Sequence, residues 1–417
     1  MPRQENTKEK ILECAFKLYA KPRMSEISLA EIAAEAGISK TAIFRHYKNK
    51  DDLLEKMRES FFEAFALMIS ELDDSSKPYN LKGVEKAVRC VFDFCDRYPN
   101  YLCYFLRESF SDEILSEGVN LVFLDNGINI VHKDVFKDKK NYLAQNMVPS
   151  FFQQTLLVFL ILAYSSRELF VKINDIELYK TRLAELIYSG VGKRKSPITP
   201  ERKKELDAIC QVQIENDEKS NRFFDAFIKL LQSNGSSKIT VEKIAEALGM
   251  AKSSIYSFFA NKNDYLMNML FQETERVCSI LKDKIVDAAN PDEALYVMIR
   301  TQANYFALRP QVIMLHGYFN FQSTALAQKD LDEFDKRTLD FFKTLSIDKI
   351  TPPTFDFPVN YNSALFAKWV SALTVGFMLM GTKYNFPAEW KDFYATTIFE
   401  MIECGIKHIK NEDGEIE

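Results

Sequence analysis

The feature that most constrains the fold of this chain is an internal repeat. The segment 28–54 returns as the segment 240–266 without a gap, so that Lys40 corresponds to Lys252 and the offset between equivalent positions is constant. Similar apolar patterns follow each copy through the rest of its half of the chain. A repeat of that size is larger than one supersecondary unit. The sequence therefore predicts two whole structural units of similar fold in one chain.

The first copy has the pattern of a helix-turn-helix. Ser28 followed three residues later by Glu31 indicates a capping box at the start of a helix, and Gly37 lies where a left-handed residue would end that helix. Ser39 is a favourable N-cap for a second helix. From Ser39 to Lys50 the segment contains basic residues and no carboxylate. Two short helices, a glycine turn and a basic second helix are typical of motifs that read DNA.

The residues of this motif resemble the N-terminal domain of the tetracycline-repressor (TetR) family. Residues 7–19 fit the first helix of that domain. The resemblance implies an all-α fold of two tandem TetR-like subunits, each a helix-turn-helix DNA-binding domain followed by a helical ligand-binding and dimerisation domain. The motif residues that carry it are Ile32-Ala33, Gly37-Ile38-Ser39, Ile43-Phe44-Arg45-His46-Tyr47 and Lys50-Asp51-Asp52-Leu53-Leu54.

The repeat and the segment GVGKRKSPITP set the expected domain boundaries. After Thr199-Pro200, which combines a cap with proline at the first helical position, a helix is predicted to restart and to continue toward Gln232. The expected divisions are a first helix-turn-helix domain at 1–50, a first helical effector and dimerisation domain at 51–190, a linker at 191–200, a second helix-turn-helix domain at 201–262 and a second helical effector and dimerisation domain at 263–417.

In the first recognition helix, Lys40, Thr41 and Arg45 are placed to reach base edges. Lysine and arginine suit guanine O6 and N7, and a threonine methyl group suits the thymine methyl group. Phe44 occupies a position where the family often has a tyrosine that touches phosphate, so that hydrogen bond is missing here. The residues at helix N-termini and on the flanks, which suit phosphates, are Ser28, Ser39, His46, Lys48 and Lys50.

The second copy is poorer in charge than the first. Serine, phenylalanine and alanine stand where the first copy has Arg45, His46 and Lys48. Two alternatives stay open for this copy, a weak reader of a different half-site and a structural relic. The residues of the second copy that are predicted to contact DNA are Lys252, Ser253, Tyr256 and Lys262.

Composition bounds the remaining classes of function. The formal net charge is −5, so affinity for nucleic acid has to come from a local basic patch. The four histidines are scattered and no two cysteines have Cys-x-x-Cys spacing, so a metal site is not expected. The seven cysteines are interpreted as reduced thiols of a cytosolic protein. Because no Ser-His-Asp or phosphate-loop pattern appears, we expect neither an enzyme nor a cofactor.

Two apolar segments need to be tested as membrane spans. Residues 141–166 contain no charge, and residues 371–381 are similarly apolar. Glutamines and a proline interrupt the first segment and Lys368 precedes the second, so both are predicted as buried helices. In the family resembled here, such helices form the subunit interface, and the middle helices enclose an effector pocket.

These features predict a cytoplasmic DNA-binding transcriptional regulator that acts as a ligand-responsive repressor. Its partners would be a double-stranded DNA operator and a small, largely apolar effector, with no membrane. Because members of the family act as homodimers, we expect the two repeats to pair internally as a single-chain pseudo-dimer. The alternative is a homodimer of whole chains. A second hypothesis is a TetR-like protein with weak or lost operator binding that works by protein–protein contact.

Overall fold

The structure is a computed structural model, and helices are the only regular secondary structure in the residues that it describes. This confirms the all-α prediction. Most of the predicted linker, residues 192–197, lies outside the described residues. The described residues are 2–19, 27–72, 80–108, 113–125, 147–164, 173–191, 198–214, 222, 224–227, 229–230, 240–256, 262–322, 328–345, 363–383 and 390–408.

The helices follow the two repeats. In the first repeat they are α1 (Pro2–Tyr19), α2 (Leu29–Glu35), α3 (Lys40–Ile43), α4 (Lys50–Ser70), α5 (Leu81–Arg97), α6 (Tyr101–Glu108), α7 (Glu113–Asp125), α8 (Val148–Tyr164) and α9 (Ile176–Ser189). From the linker onward they are α10 (Pro200–Ile209), α11 (Val241–Leu248), α12 (Lys252–Tyr256), α13 (Lys262–Ile285), α14 (Pro291–Leu308), α15 (Pro310–Gln322), α16 (Gln328–Thr344), α17 (Ser363–Lys383) and α18 (Trp390–Cys404).

The helix boundaries carry the duplication that the sequence predicts. The first residues of α2, α3 and α4 in the first copy are equivalent, at the offset of the repeat, to the first residues of α11, α12 and α13 in the second copy. The long helix that follows each recognition helix therefore starts at equivalent lysines, Lys50 and Lys262. Two tandem copies of one fold are present.

The described chain forms two compact units, and the first contains the first helix-turn-helix. Its core is aromatic. Phe61 of α4 stacks on Phe105 of α6 with ring centroids 5.8 Å apart, and Phe16 of α1 lies 4.2 Å from Tyr101. Burial of such side chains contributes about 1.5–3 kcal/mol each, so this cluster holds α4 against α1 and α6. The segments of this unit are Met1–Asp73, Arg89–Ile128 and Tyr318–Leu331.

Helix α14 lies at the centre of the second unit. Every residue of α14 from 293 to 306 is buried, and α13, α17 and α18 pack against it. A helix that is buried on all sides is typical of the core of a large helical domain. Helix α10 is attached to it by Arg202, which donates to both carboxylate oxygens of Glu293 at 2.8 and 3.2 Å. The segments of this unit are Asp74–Val88, Asn129–Gly317 and Asp332–Glu417.

Helix α10 ends at Ile209, so the prediction that it continues toward Gln232 is wrong. The next residue, Cys210, is buried, and its carbonyl oxygen accepts a hydrogen bond from Nδ2 of Asn304 at 2.8 Å. The carbonyl oxygen of Ile209 accepts one from Nζ of Lys284 at 2.5 Å. The last carbonyl groups of a helix need partners. Here distant side chains supply them, and this signal is absent from the local sequence.

The apolar helices of the two repeats contact one another within the second unit. Trp369 of α17 is fully buried and lies 6.4 and 6.2 Å from the rings of Phe151 and Phe159 in α8. Its indole N–H donates to Oγ1 of Thr155, 3.4 Å away. Helix α9 packs in the same unit against α18. The described parts of the two apolar segments are therefore buried helices, as predicted.

Two glycines bring the ends of α9 and α18 into backbone contact. Gly190 follows α9 with a φ of 68°, and Gly405 follows α18 with a φ of 69°. The N–H of Val191 donates to the carbonyl oxygen of Ile402 at 2.9 Å. A Cβ atom on Gly405 would lie 2.2 Å from the carbonyl oxygen of Tyr188. Only glycine combines this left-handed conformation with so close an approach.

Helix α17 contains a segment, Leu365–Thr382, that is long and apolar enough to cross a membrane by length and composition alone. Half of that segment is buried inside the protein. The core helix of a soluble protein meets the same criterion, and the aromatic contacts of Trp369 are those of a core helix.

Candidate nucleic-acid interface

Helix α2 begins with the capping box that the sequence predicts. The N–H of Glu31 donates to Oγ of Ser28 at 3.3 Å, and the Glu31 carboxylate accepts from the N–H of Ser28 at 2.7 Å. The hydrogen bond from this N–H is the main reason why the pKa of Glu31 lies below its usual value. The only carboxylate in the first turn of α2 is therefore used to cap its own helix.

A glycine turn joins α2 to the recognition helix α3. Gly37 has a φ of 70°, as predicted, and the N–H of Ile38 donates back to the carbonyl oxygen of Ala33 at 2.9 Å. Ser39 then caps α3, because its Oγ accepts from the N–H of Ala42 at 3.1 Å. These local hydrogen bonds set the angle at which α3 leaves α2.

Two buried residues anchor α3 to the core of the first unit. Ile43 and Tyr47 are 0% and 1% exposed, and the N–H of Tyr47 donates to the carbonyl oxygen of Ile43 at 3.0 Å. This hydrogen bond continues the helical path for one turn beyond α3. Burial raises the pKa of Tyr47 to about 12, so its hydroxyl group is neutral at physiological pH. The opposite side of the turn is left exposed.

The residues predicted to read bases lie on this exposed side. Lys40, Thr41 and Arg45 are exposed, and the ring of Phe44 is 49% exposed. Their spacings of one, four and five residues place these four on one side of the helical turn. Neither Lys40 nor Arg45 forms an ion pair with another residue that the structure describes. Both charges are therefore available to an external anion.

The residues predicted to meet phosphates flank this surface. The backbone of one of them, Lys48, is already used, because its N–H donates to Oδ2 of Asp52 at 2.8 Å. Asp52 in turn donates its own N–H to Oδ1 of Asn49, the N-cap of α4. Only the side chain of Lys48 is left for a phosphate. The exposed members of the set are Ser28, Ser39 and Lys48, and the half-buried ones are His46 and Lys50.

The second copy repeats the backbone geometry of the first. Gly249 has a φ of 65°, and the N–H of Met250 donates to the carbonyl oxygen of Ala245 at 2.9 Å, as in the equivalent turn of the first copy. Thr240 caps α11 by accepting from the N–H of Lys243 at 3.3 Å. The second hydrogen bond of a capping box needs an acceptor side chain at position 243 for the N–H of the cap residue, and lysine has none. The second copy therefore keeps one of the two hydrogen bonds of that motif.

The side chains of the second copy differ where DNA would bind. Lys252, the counterpart of the first recognition lysine, forms an ion pair with Glu242. The hydrogen bond from Lys252 is the main cause that lowers the pKa of Glu242 to about 2. Ser253 is exposed. The predicted contacts whose side chains lie outside the described residues are Tyr256 and Lys262.

Glu242 is not among the residues that the sequence predicts to contact DNA, although the repeat contains its signal. At the offset that matches Lys40 with Lys252, Glu242 aligns with Ala30 and Lys243 aligns with Glu31. The carboxylate has moved by one position between the copies. In the first copy it caps a helix, and in the second it holds the recognition lysine.

The sequence profile of the family described as bacterial regulatory proteins, tetR family, matches residues 11–57 and again residues 223–266. The first residues of the two matches, 11 and 223, are equivalent positions of the repeat. The chain belongs to the TetR family. Both matches cover the helix-turn-helix regions described above, so this TetR-family chain carries two tandem copies of the domain.

Similar proteins include the nucleoid occlusion factor SlmA of Aliivibrio fischeri, from strains MJ11 and ATCC 700601 / ES114. Each is 24% identical over 142 residues, which cover 33% of this chain and 71% of the relative. The fatty acid degradation regulator FadR from Bacillus halodurans has a TM-score of 0.37 at 16% identity, over 46% of this chain and 99% of its own. A TetR family transcription regulator from Marinobacter aquaeolei VT8 has a TM-score of 0.34 at 16% identity, over 44% and 95%. TM-scores of this size define no shared architecture, so the family assignment rests on the two domain matches.

Proposed function

We propose that this TetR-family regulator is a cytoplasmic, ligand-responsive transcriptional repressor that works as a single-chain pseudo-dimer. The first helix-turn-helix makes the main contact with a double-stranded DNA operator, and the second makes a weaker one. The helical domains respond to a small, largely apolar effector. The family consists of regulatory proteins, which favours this function over an enzyme.

The exposed face of α3 is the observation that carries the proposal. Buried Ile43 and Tyr47 hold the helical turn in place, and Lys40 and Arg45 project from it without an ion-pair partner among the described residues. Lysine and arginine at such positions donate to guanine O6 and N7 in the major groove. The flanking polar residues fix the register by binding phosphates, which carry no sequence information.

The packing of α8 against α17 supports the pairing of the two repeats. Members of the family pair through their last two helices, and the corresponding helices here belong to one chain. A tethered partner is present at a high effective concentration, so a pair within the chain competes well with pairing between chains. Helix-turn-helix readers need such pairs, because two recognition helices reach successive major grooves about one turn apart.

The helices α4 and α13 would connect the effector to the DNA. Each one starts at a helix-turn-helix and continues into the helical region of its own repeat. A small tilt of either helix would change the position of its recognition helix. A ligand shifts such an equilibrium only by its differential affinity for the two states. An effector that binds tightly and leaves operator affinity unchanged would contradict this route.

Replacing Lys40 or Arg45 by alanine is expected to weaken binding to the operator by about 1–3 kcal/mol and to relax base preference at one position. Lys50→Ala should weaken binding to all DNA sequences alike and reduce the slope of log K against log salt concentration by about 1. Selection from random duplexes with the full chain identifies the operator. Fluorescence anisotropy at several salt concentrations then measures each variant.

The matched control for these variants is Lys82→Ala. Lys82 is an exposed lysine of α5 outside the motif, and its removal changes the net charge by the same amount. It should leave affinity and base preference as in the wild type. Equal binding by the wild type, Lys40→Ala and Arg45→Ala would refute the assignment of the site. If the wild type selects no sequence from random DNA, the hypothesis of a protein–protein function takes its place.

The operator itself tests the pseudo-dimer. Two unlike recognition helices in one chain should select two unlike half-sites, and the complex should contain one chain for each operator. Mass measurement of the complex and footprinting with Lys40→Ala examine both points. A perfect palindrome that binds two chains through both of their first repeats would contradict internal pairing.

A further inference from the structure

The two recognition lysines have different electrostatic surroundings. Lys252 of α12 is in an ion pair with Glu242, which lies in the first turn of α11. The equivalent position to Glu242 in the first copy is Ala30, and Lys40 has no ion-pair partner among the described residues. In both copies the N–H of the turn glycine and the N–H of the next residue donate to equivalent carbonyl oxygens, those of Ala34 and Ala33 in the first copy and of Glu246 and Ala245 in the second. The difference is therefore one of side chains on a common scaffold.

Glu242 lies in the first turn of α11. Its carboxylate is paired with the ammonium group of Lys252. A helix N-terminus next to a recognition helix is where a helix-turn-helix would receive a DNA phosphate. Each copy has a carboxylate in the first turn of this helix, Glu31 in the first and Glu242 in the second, but Glu242 is the one that forms an ion pair with the lysine of the recognition helix. Its negative charge opposes a phosphate there and also reduces the charge that Lys252 offers.

We infer that Glu242 is the residue that limits the affinity of the second helix-turn-helix for DNA. It thereby makes the two DNA readers of the chain, the first and the second helix-turn-helix, unequal in affinity. This inference rests on the proposed function of the chain as a DNA-binding regulator. Both side chains of the pair are about half exposed, at 55% for Lys252 and 50% for Glu242. Exposed pairs are weak. The ion pair therefore lowers the affinity of the second helix-turn-helix for DNA without abolishing it, because DNA can compete for Lys252.

The test isolates the second reader in the full chain. The double variant Lys40→Ala/Arg45→Ala weakens the first reader, and Glu242→Ala is then added to it. The probe is a fluorescent duplex of random sequence that is longer than two helical turns. Glu242→Ala is expected to raise affinity by roughly five- to tenfold at about 0.1 M salt and to steepen the salt slope by about 0.9, since one more cation meets a phosphate.

The reciprocal change is made in the first reader. Ala30→Glu in the otherwise wild-type chain places a carboxylate at the position equivalent to Glu242, so it should lower affinity by a similar factor. Glu246→Ala is the charge control, because it removes an exposed carboxylate from the same helix at another position. It should give a clearly smaller gain than Glu242→Ala. Circular dichroism establishes that each variant keeps its helical content.

Each outcome bears on one proposal. If the wild-type chain does not bind duplex DNA at all, the proposed function fails. If the wild type binds but Glu242→Ala has no effect, or Glu246→Ala gives the same gain, only the role of Glu242 is overturned. A loss of affinity in Glu242→Ala, with relaxed preference at one base pair, also overturns it. That result would mean that the carboxylate accepts a hydrogen bond from cytosine N4.

Discussion

Replacing Gly405 by alanine is expected to lower the free energy of unfolding of the second unit by about 2–5 kcal/mol. A left-handed conformation costs an alanine about 1–2 kcal/mol, and overpacking adds about 1–3 kcal/mol. Both apply here, because Gly405 has a φ of 69° and its added Cβ would lie 2.2 Å from the carbonyl oxygen of Tyr188. The colliding atom is backbone and cannot rotate away. The ends of α9 and α18 would have to separate.

Tryptophan fluorescence is a selective measure of this effect. The chain contains two tryptophans, and both are buried, Trp369 in α17 and Trp390 in α18. Urea titration of Gly405→Ala should therefore shift the fluorescence transition to lower denaturant concentration. If the repeats pair as we propose, affinity for a full operator should also fall. Affinity for the first half-site alone should stay as in the wild type.

Gly249→Ala is the matched control for this experiment. Gly249 has a similar φ of 65°, but a Cβ there would meet its nearest neighbour, Nη2 of Arg222, at 3.9 Å. It should show the conformational cost of about 1–2 kcal/mol without the collision. Equal losses in the two variants would mean that the backbone contact between α9 and α18 contributes nothing measurable.

The parts of the fold that could be predicted from the sequence are those set by neighbours in the chain. The capping box at Ser28, the left-handed Gly37 and the N-cap at Ser39 depend on hydrogen bonds between groups at most five residues apart. The chemistry of each residue type is enough to predict them. The offset of the repeat then transfers the same geometry to Gly249.

The features that could not be predicted depend on partners far along the chain. The end of α10 is set by Asn304 and Lys284, which approach it only in the folded protein. The partner of Lys252 lies nearby in sequence, but a side-chain pair depends on the angle between α11 and α12. A comparison of the two copies, with Glu242 against Ala30, was the signal that could have revealed it.

The two repeats also connect their long helices to the rest of the fold by different chemistry. Phe61 of α4 lies in an aromatic cluster, and its counterpart at the offset of the repeat is Glu273 of α13. Glu273 is fully buried, and its carboxylate accepts from Nη2 of Arg309 at 3.0 Å and from the hydroxyl group of Tyr305. Arg309 is 3% exposed. A buried ion pair therefore stands where the first repeat has an apolar contact.

Glu273→Met is expected to destabilise the second unit by about 3–5 kcal/mol, since it leaves the buried charge of Arg309 without this carboxylate. Arg309→Met should cost less, because Nη1 of Arg276 still donates to Oε1 of Glu273 at 3.1 Å. Urea titration with tryptophan fluorescence measures both losses. The double variant Glu273→Met/Arg309→Met should recover most of the loss. Well-packed apolar residues replace a buried ion pair at little cost, as the apolar contact of the first repeat also suggests.

The double-mutant cycle gives the coupling between Glu273 and Arg309 directly, because each single variant removes the same pair. The control is the ion pair of Lys343 with Asp340, 3.0 Å apart with both side chains more than half exposed. Lys343→Met should cost less than about 1 kcal/mol. If the double variant loses as much as the sum of the single variants, the two charges are independent. The connection of α13 to α14 would then depend on other contacts, such as the one that Glu273 makes with Tyr305.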